Sequence, residues 1–520
     1  MRQAEVIVVG AGIGGLTCAI ELAVAGFKVT VVERARRSGG KMREIEVGGA
    51  AVDAGPTVLT MRWVFDAIFE AAGSALESEV TLTPLDVLAR HAWSERERLD
   101  LFADVARSAD AIGDFAGAKE AAGYRAFSAE SRRIYETLKD TFLAAQTTGP
   151  IGLGGRIGLS RVGELTALRP FETLWRALGN HFADPRLRQL FGRYATYCGS
   201  SPFAAPATLM LIAHVEQDGV WCVEGGMQRL AEALERMAAK LGVTFRFGAD
   251  VDRIEVAGGR ASGVTLADGE RIASDCVVVN AGAAALRGGV LGQAARTAPT
   301  GDPAAPRSLS AVTWALRTKV TGFPLVRHNV FFSGDYAAEF ADIFERGRPP
   351  RAPTIYVCAQ DRGDDGAAVA GDERLLILMN APADGDRHTL DEGELAECET
   401  RVFGHLERCG LTLERSPETT VITTPARFHA MFPGTGGALY GAATHGWAAA
   451  FARPGARTRI PGLYLAGGGA HPGAGVPMAA LSGRLAAQRL MTDRASTRRF
   501  VPGATSGGTS TRSATTAGMA

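Results

Sequence analysis

The residues best suited to chemistry in this chain of 520 are glycines near its start. Gly10-Ala11-Gly12-Ile13-Gly14-Gly15 spells G-x-G-x-x-G, with Glu33 following about twenty residues on. Glycines so spaced do phosphate chemistry. Gly10 permits a tight turn, Gly12 lets backbone approach a pyrophosphate, and Gly15 lets helix pack closely on strand. The N–H groups of a helix starting there supply unpaired donors and positive dipole. Glu33 would accept hydrogen bonds from ribose hydroxyls, and its charge disfavours a 2′-phosphate, although Arg34, Arg36 and Arg37 follow it.

The elements needed to position these groups are legible around them. Residues 6–9 are apolar and β-branched, residues 16–25 read as helix, and residues 27–32 as a second strand. The order is strand, glycine turn, helix, strand and acid, the context that raises the motif above a common glycine turn. A unit that kept this shape without a ligand would carry the same glycines.

Further polar turns recur along the chain. Ser38-Gly39-Gly40-Lys41 follows the second strand, and Asp53-Ala54-Gly55-Pro56-Thr57 turns into a helix over 64–72. Taken singly, either could be an ordinary turn. Near the end, a buried strand over 460–465 runs into Gly467-Gly468, then His471-Pro472-Gly473-Ala474-Gly475-Val476-Pro477 and a helix over 478–491. Pro477 suits a first helical turn. A second helix N-terminus thus leaves a glycine loop, as would suit the pyrophosphate–ribityl part of a flavin.

Composition excludes several classes. Lysines plus arginines and aspartates plus glutamates both total 56, and the lack of basic excess argues against nucleic acid. Seven scattered cysteines, without C-x-x-C, fit reduced thiols in a cytoplasmic protein, and the nine histidines show no metal-ligand spacing, so no metal is expected. The first strand begins too early for a signal peptide, and no apolar run reaches the roughly eighteen residues of a membrane span. The expectation is a cytoplasmic protein, peripheral on the inner membrane.

Between these motifs lie two longer blocks. In the first, residues 95–102 and 127–143 read as charged helices, 148–158 as a glycine-rich joint, and 203–213 as an apolar run for core or cavity. Residues 165–191 form an amphipathic stretch with Leu168, Phe171, Leu174, Trp175, Leu178, Phe182, Leu187 and Leu190 apolar, and Arg161, Arg169, Arg176, Arg186, Arg188 and Arg193 interleaved. Such a helix can lie on an anionic membrane or pack as a core helix with a solvated face. From Trp221 the first pattern returns, with Gly225-Gly226-Met227 before a helix over 228–241, strands at 244–247 and 250–254, a hairpin across Asp268-Gly269, and a buried strand into Asn280-Ala281-Gly282. The second block has strand-like runs at 309–316, 354–358, 375–379 and 420–424, a helix over 392–409 and a loop over 433–446. The expected fold class is α/β. A discontinuous Rossmann-type domain (1–75, 222–290, 455–495) accepts an inserted α+β substrate and membrane-facing domain (76–221, 291–454), and a disordered tail spans 503–520.

Taken in order, these motifs resemble the carotenoid desaturase branch of the flavin amine oxidase superfamily. Arg193-Tyr194-Ala195-Thr196-Tyr197-Cys198-Gly199-Ser200-Ser201-Pro202-Phe203, then Gly219-Val220-Trp221, is similar to the hydroxyneurosporene (1-hydroxycarotenoid 3,4-) desaturases of purple bacteria. The resemblance implies non-covalent FAD, a long apolar channel, and an acyclic carotenoid such as 1-hydroxyneurosporene, within spheroidene- or spirilloxanthin-type biosynthesis. The flavin would take a hydride as a proton leaves the next carbon, creating a C=C bond; the final acceptor, whether oxygen, a quinone or another carrier, is not encoded in the motifs. Implied FAD contacts are Gly10, Gly12, Gly14, Gly15, Glu33, Gly40, Lys41, Gly55, Val251 (through its backbone), Gly467, Gly468 and Val476, with Pro56, Thr57 and Met478 near the ring. Many members carry arginine where this chain has Lys41. No catalytic acid or base is assigned, since the chemistry is mostly the cofactor's. Alternatives are a phytoene or neurosporene desaturase, a flavin amine oxidase using Tyr440 and Trp447 as its aromatic pair, and a non-catalytic prenyl-lipid carrier resembling the Rab GDP-dissociation inhibitors.

Overall fold

Val6, Val8, Val29, Val31, Cys276 and Val278 are buried against one side of a sheet, and Ile7, Val32, Val277 and Val279 against the other. Strands covered on both faces are read as continuous apolar runs, and here they form a five-stranded parallel sheet. Its order is Leu463–Leu465, Cys276–Val279, Glu5–Val9, Lys28–Glu33, Thr244–Phe247. A computed structural model describes this fold for residues 3–147, 149–158, 168–364 and 366–499. Helix Ile13–Val24 leaves the glycine turn and packs against the closing helix, Val476–Arg499. A three-stranded antiparallel sheet, spanning Val251–Ala257, Arg260–Leu266 and Arg271–Ala273, covers the opposite face.

A second, seven-stranded sheet draws on both intervening blocks. Its order is Thr420–Thr423, Ser310–Thr318, Glu373–Ala381, Ile355–Ala359, His328–Phe331, Val87–Ala92, Arg98–Phe102. Alternation sorts its side chains. Val312, Trp314, Ile355, Val357, Ile377 and Met379 pack on Val402, Phe403 and Leu406 of helix Glu392–Arg408. Their neighbours Thr313, Tyr356, Leu376, Leu378 and Asn380 face a cavity on the other side.

Three local expectations need correction. Arg98–Phe102 is a strand, paired antiparallel with Val87–Ala92, because Leu99 and Leu101 point inward at a period of two. Within 148–158, Pro150–Ile157 is a helix, started by Pro150 at its first turn and buried through Leu153 and Ile157, four apart. Thr148 lies outside the described residues. The stretch over 165–191 is two short helices, Leu174–Leu178 and Pro185–Gly192, each with its own cap, Thr173 and Asp184. Leu168, Leu174, Leu178, Phe182, Leu187 and Leu190 are buried, so its apolar residues are core, while Phe171 alone of the large ones is fully exposed. Residues 165–167, Arg161 and the tail from Gly503 lie outside the described residues. The apolar run over 203–213 supplies a 3-10 turn, Ala207–Met210, and the start of helix Leu211–Gln217, both lining the cavity.

Candidate functional site

One cavity of about 1570 Å³ runs from the glycine turns to the seven-stranded sheet. At its first end, Gly10 turns at φ 100° and helix Ile13–Val24 begins at Gly12, which contributes no side-chain cap. Neither this helix nor Val476–Arg499 has an acid in its first turn, so no acid of their own competes for the unpaired N–H groups at these ends. The two glycine loops touch. A Cβ on Gly14 would lie 2.7 Å from Gly467 Cα and N, backbone that cannot swing away. Glu33 stands at this end with Oε2 accepting from Ala11 N (2.6 Å) and Oε1 from Ala35 N (2.8 Å). Val251, Ala249 and Asp250 complete the wall beside it.

Every residue nominated from the sequence lines this cavity except Gly15. Gly15 is packed beneath it, where a Cβ would come within 2.1 Å of Gly10 O, so close packing of helix on strand by itself demands glycine there. Gly225-Gly226-Met227 is also structural. Met227 N donates to the Asp53 carboxylate at 2.9 Å, and Gln360 exchanges two hydrogen bonds with the Asp53 backbone. That clamp fixes the turn carrying Gly55, Pro56 and Thr57. Gly55 must itself be glycine, since a Cβ would sit 2.0 Å from Lys41 O.

The middle of the cavity is polar on one side. Lys41 Nζ donates to Leu439 O, lies 5.4 Å from the Phe432 ring, and is pushed down to about 8 by burial. Thr57 Oγ1 is 2.7 Å from Tyr356 Oη, which is 2.7 Å from His328 Nδ1. Burial pushes His328 down to about 3, so the imidazole is neutral. Arg193 Nη donates to Tyr197 Oη at 3.3 Å, and the Tyr194 and Tyr197 hydroxyls both donate to Glu216. Beyond Tyr197 the same motif ties loops together: Thr444 N donates to Ser200 Oγ and Ser201 N to His445 Nε2. Tyr356, His328, Tyr336 and Glu339 had no local signature in the sequence. The available signal was weak: polar residues alternating into apolar strand runs at Thr354, Tyr356 and Asn380.

Tyr440 and Trp447 do not form an aromatic pair. Tyr440 packs against Gly199 inside the cavity, whereas Trp447 is 45% exposed at the rim and its ring meets Phe171 at 5.4 Å. Among the described residues there is no His/Cys/Asp/Glu cluster suited to a metal ion.

The arrangement can hold an elongated, doubly anionic ligand against two helix N-termini and an apolar ligand beside it. The cradle of glycines, the uncapped helix starts and the paired loops fit a flavin dinucleotide. A profile described as flavin containing amine oxidoreductase matches residues 13–491. Hydroxyneurosporene desaturase of Rubrivivax gelatinosus is 54% identical over 521 residues, 100% of this chain and 99% of that one. The protein of the same name from Cereibacter sphaeroides is 47% identical, covering 95% and 99%. A 4,4'-diapolycopene oxygenase from Methylomonas is 30% identical, covering 94% and 98%. Among solved structures, an oxidoreductase from Methanosarcina mazei superposes with TM-score 0.56 at 16% identity, covering 94% of this chain and 100% of that one. Wild-type putrescine oxidase bound to putrescine does so with 0.56 at 15% identity, covering 95% and 99%. At such identities the likeness is one of fold.

Proposed function

The chain belongs to the flavin-containing amine oxidoreductase family, and we propose that it is an FAD-dependent carotenoid desaturase. Its substrate in this reading is a 1-hydroxylated acyclic carotenoid such as 1-hydroxyneurosporene, desaturated at C3–C4. The end-to-end similarity to the Rubrivivax enzyme carries the reading. A single cavity that joins a dinucleotide cradle to apolar walls supports it, because cofactor and hydrocarbon must meet there.

The N–H groups at Ile13 and Gly14 would hold the pyrophosphate, Glu33 the ribose and the Val251 backbone the adenine. Gly40, Lys41, Gly55, Pro56, Thr57, Gly467, Gly468, Val476 and Met478 would hold the flavin end. A bound flavin supplies the two-electron acceptor needed to remove hydrogen from a C–C bond. The residues do the rest. Leu209, Ile212, Leu376 and Leu378 exclude water and orient the chain, and the Thr57–Tyr356–His328 run keeps one wall polar but uncharged. The chain divides accordingly into a dinucleotide part (1–75, 222–290, 455–495) and a substrate part (76–221, 291–454). Docking on the cytoplasmic face of the inner membrane would use Ile151, Phe171 and Trp447 around the rim. No described helix is long and apolar enough to cross a membrane.

Product analysis is the test. FAD-loaded protein with lipid is offered 1-hydroxyneurosporene and phytoene in parallel, each with oxygen or with a quinone. Conversion of the hydroxylated substrate, with a red-shifted absorption spectrum, is expected. Conversion of phytoene instead would transfer the function to the rival desaturase, and conversion of neither by flavin-loaded protein would reject the reading.

A further inference from the structure

The sheet-side wall of the cavity ends in buried polar groups that the reaction as described leaves unused. Helix Tyr336–Phe344 is capped by Asp335, whose side chain accepts from Ala338 N. Tyr336 and Glu339 lie one turn apart on its buried face, 6% and 1% exposed, and both line the cavity. Glu339 Oε2 is satisfied by Thr354, whose N–H donates at 3.1 Å and whose hydroxyl donates at 2.6 Å. Glu339 Oε1 and Tyr336 Oη have no partner at hydrogen-bond geometry among the described residues, although the Asn380 side chain lies close enough to help stabilise the Glu339 charge. A half-satisfied carboxylate and an idle hydroxyl side by side each cost stability. Their burial therefore points to a ligand that completes them.

The chemistry of that ligand follows from the two vacant valences. Oε1 needs a donor, and a neutral Tyr336 hydroxyl offers one. An alcohol answers both at once, whereas a carbonyl or ether only accepts and a hydrocarbon does neither. An ammonium only donates, and the Arg193 guanidinium, whose charge offsets part of the burial that pushes the Tyr336 hydroxyl up, opposes a second cation here. The neighbouring walls, Val330, Leu376 and Leu378, are apolar, so the alcohol must sit on an otherwise greasy molecule.

We propose that Glu339 Oε1 and Tyr336 Oη form the subsite for the terminal hydroxyl of the substrate, the O–H donating to Glu339 and its oxygen accepting from Tyr336. The assignment rests on the carotenoid reading above and extends it to what selects the substrate. It also sets register. The hydroxyl on C1 lies two carbons from C3, so the group that holds the oxygen decides which C–C bond stands against the flavin loops. Thr354, which orients Glu339, is two residues from Tyr356 on one strand face, roughly 7 Å away, and Tyr356 holds Thr57. The anchor and the reacting bond are thus a few bonds apart.

The test compares 1-hydroxyneurosporene with neurosporene on flavin-loaded protein. Binding is read by quenching of tryptophan fluorescence and turnover by kcat/KM. Wild type should favour the hydroxylated carotenoid about tenfold or more. That ratio should fall about fivefold in Tyr336→Phe and about tenfold in Glu339→Gln, each with its flavin retained. Tyr336→Phe removes one buried oxygen and keeps the ring, so it stands if Glu339→Gln fails to fold. A ratio unchanged in the variants, or equal binding of both carotenoids by wild type, overturns the subsite and leaves the desaturase reading in place. Wild type that binds neither carotenoid overturns that reading and the subsite with it.

Discussion

Glu339 destabilises the fold that holds it, and the sign of the effect is testable. Burial raises its carboxyl from 4.5 to about 7, with Thr354 and the Asn380 side chain pulling the other way. Between those values the native state binds more protons than the unfolded chain, so unfolding free energy falls as pH rises from about 4.5 to 7 and levels off above. The full difference is roughly 3 kcal/mol at most. Glu339→Gln keeps the Thr354 acceptor and removes the titration. Urea denaturation should find the variant little changed at pH 5 and up to about 3 kcal/mol more stable than wild type at pH 8. An equal difference at both pH values would mean that the carboxylate is not desolvated as described. Its legibility differs from that of the glycines. Gly10, Gly12, Gly14 and Glu33 declare themselves because their chemistry is local, backbone geometry at fixed spacing. Glu339, Thr354 and Tyr356 acquire theirs only when a helix and two strands meet, and no spacing encodes that.

Among the elements, the contact of the two helices that start at glycine loops governs the cradle. Gly483 of Val476–Arg499 lies against Ile13–Val24, and a Cβ there would be 2.3 Å from Gly14 O and 3.0 Å from Cys18 N. Alanine gains about 1 kcal/mol of helix propensity over glycine, but backbone at 2.3 Å cannot yield without parting the helices. Gly483→Ala should therefore destabilise by about 1–3 kcal/mol in thermal melts and lower the flavin retained after gel filtration. A variant as stable and as yellow as wild type would refute the close crossing. The pattern over 13–24 showed this helix because its neighbours on both sides are regular. It misread Arg98–Phe102, where charged residues alternate with two leucines in too short a run to separate a period of two from 3.6. It missed Pro150–Ile157 for another reason, since three glycines disguise a helix whose stability comes from burying Leu153 and Ile157.

At the scale of the molecule, the open question is how an apolar substrate reaches a buried cavity, and the surface supplies an argument. Ile151 and Phe171, 93% and 80% exposed, are the most exposed large apolar residues described, and Trp447 meets Phe171 edge to face. Phe171, Trp447, Pro150 and Leu153 line the rim of the same cavity. The sequence pointed to membrane docking from residues 165–191 because arginines and large apolar residues alternate there. In the fold, the described part of that stretch turns its leucines inward and leaves Phe171 outside, so the docking contact we propose is a few inserted side chains around an opening, not a basic helix lying flat. The two modes differ in salt dependence. With 56 basic and 56 acidic residues the chain has no net charge to draw it to anionic lipid, so insertion must dominate. Burying one such side chain is worth about 1.5–3 kcal/mol, which predicts that Phe171→Ser or Ile151→Ser lowers partition into phosphatidylcholine–phosphatidylglycerol vesicles about 10- to 100-fold in co-sedimentation. Wild-type binding should change little between low and high salt. Binding that collapses in salt yet survives both substitutions would return the docking role to the arginines and leave the exposed aromatic pair at the rim without one.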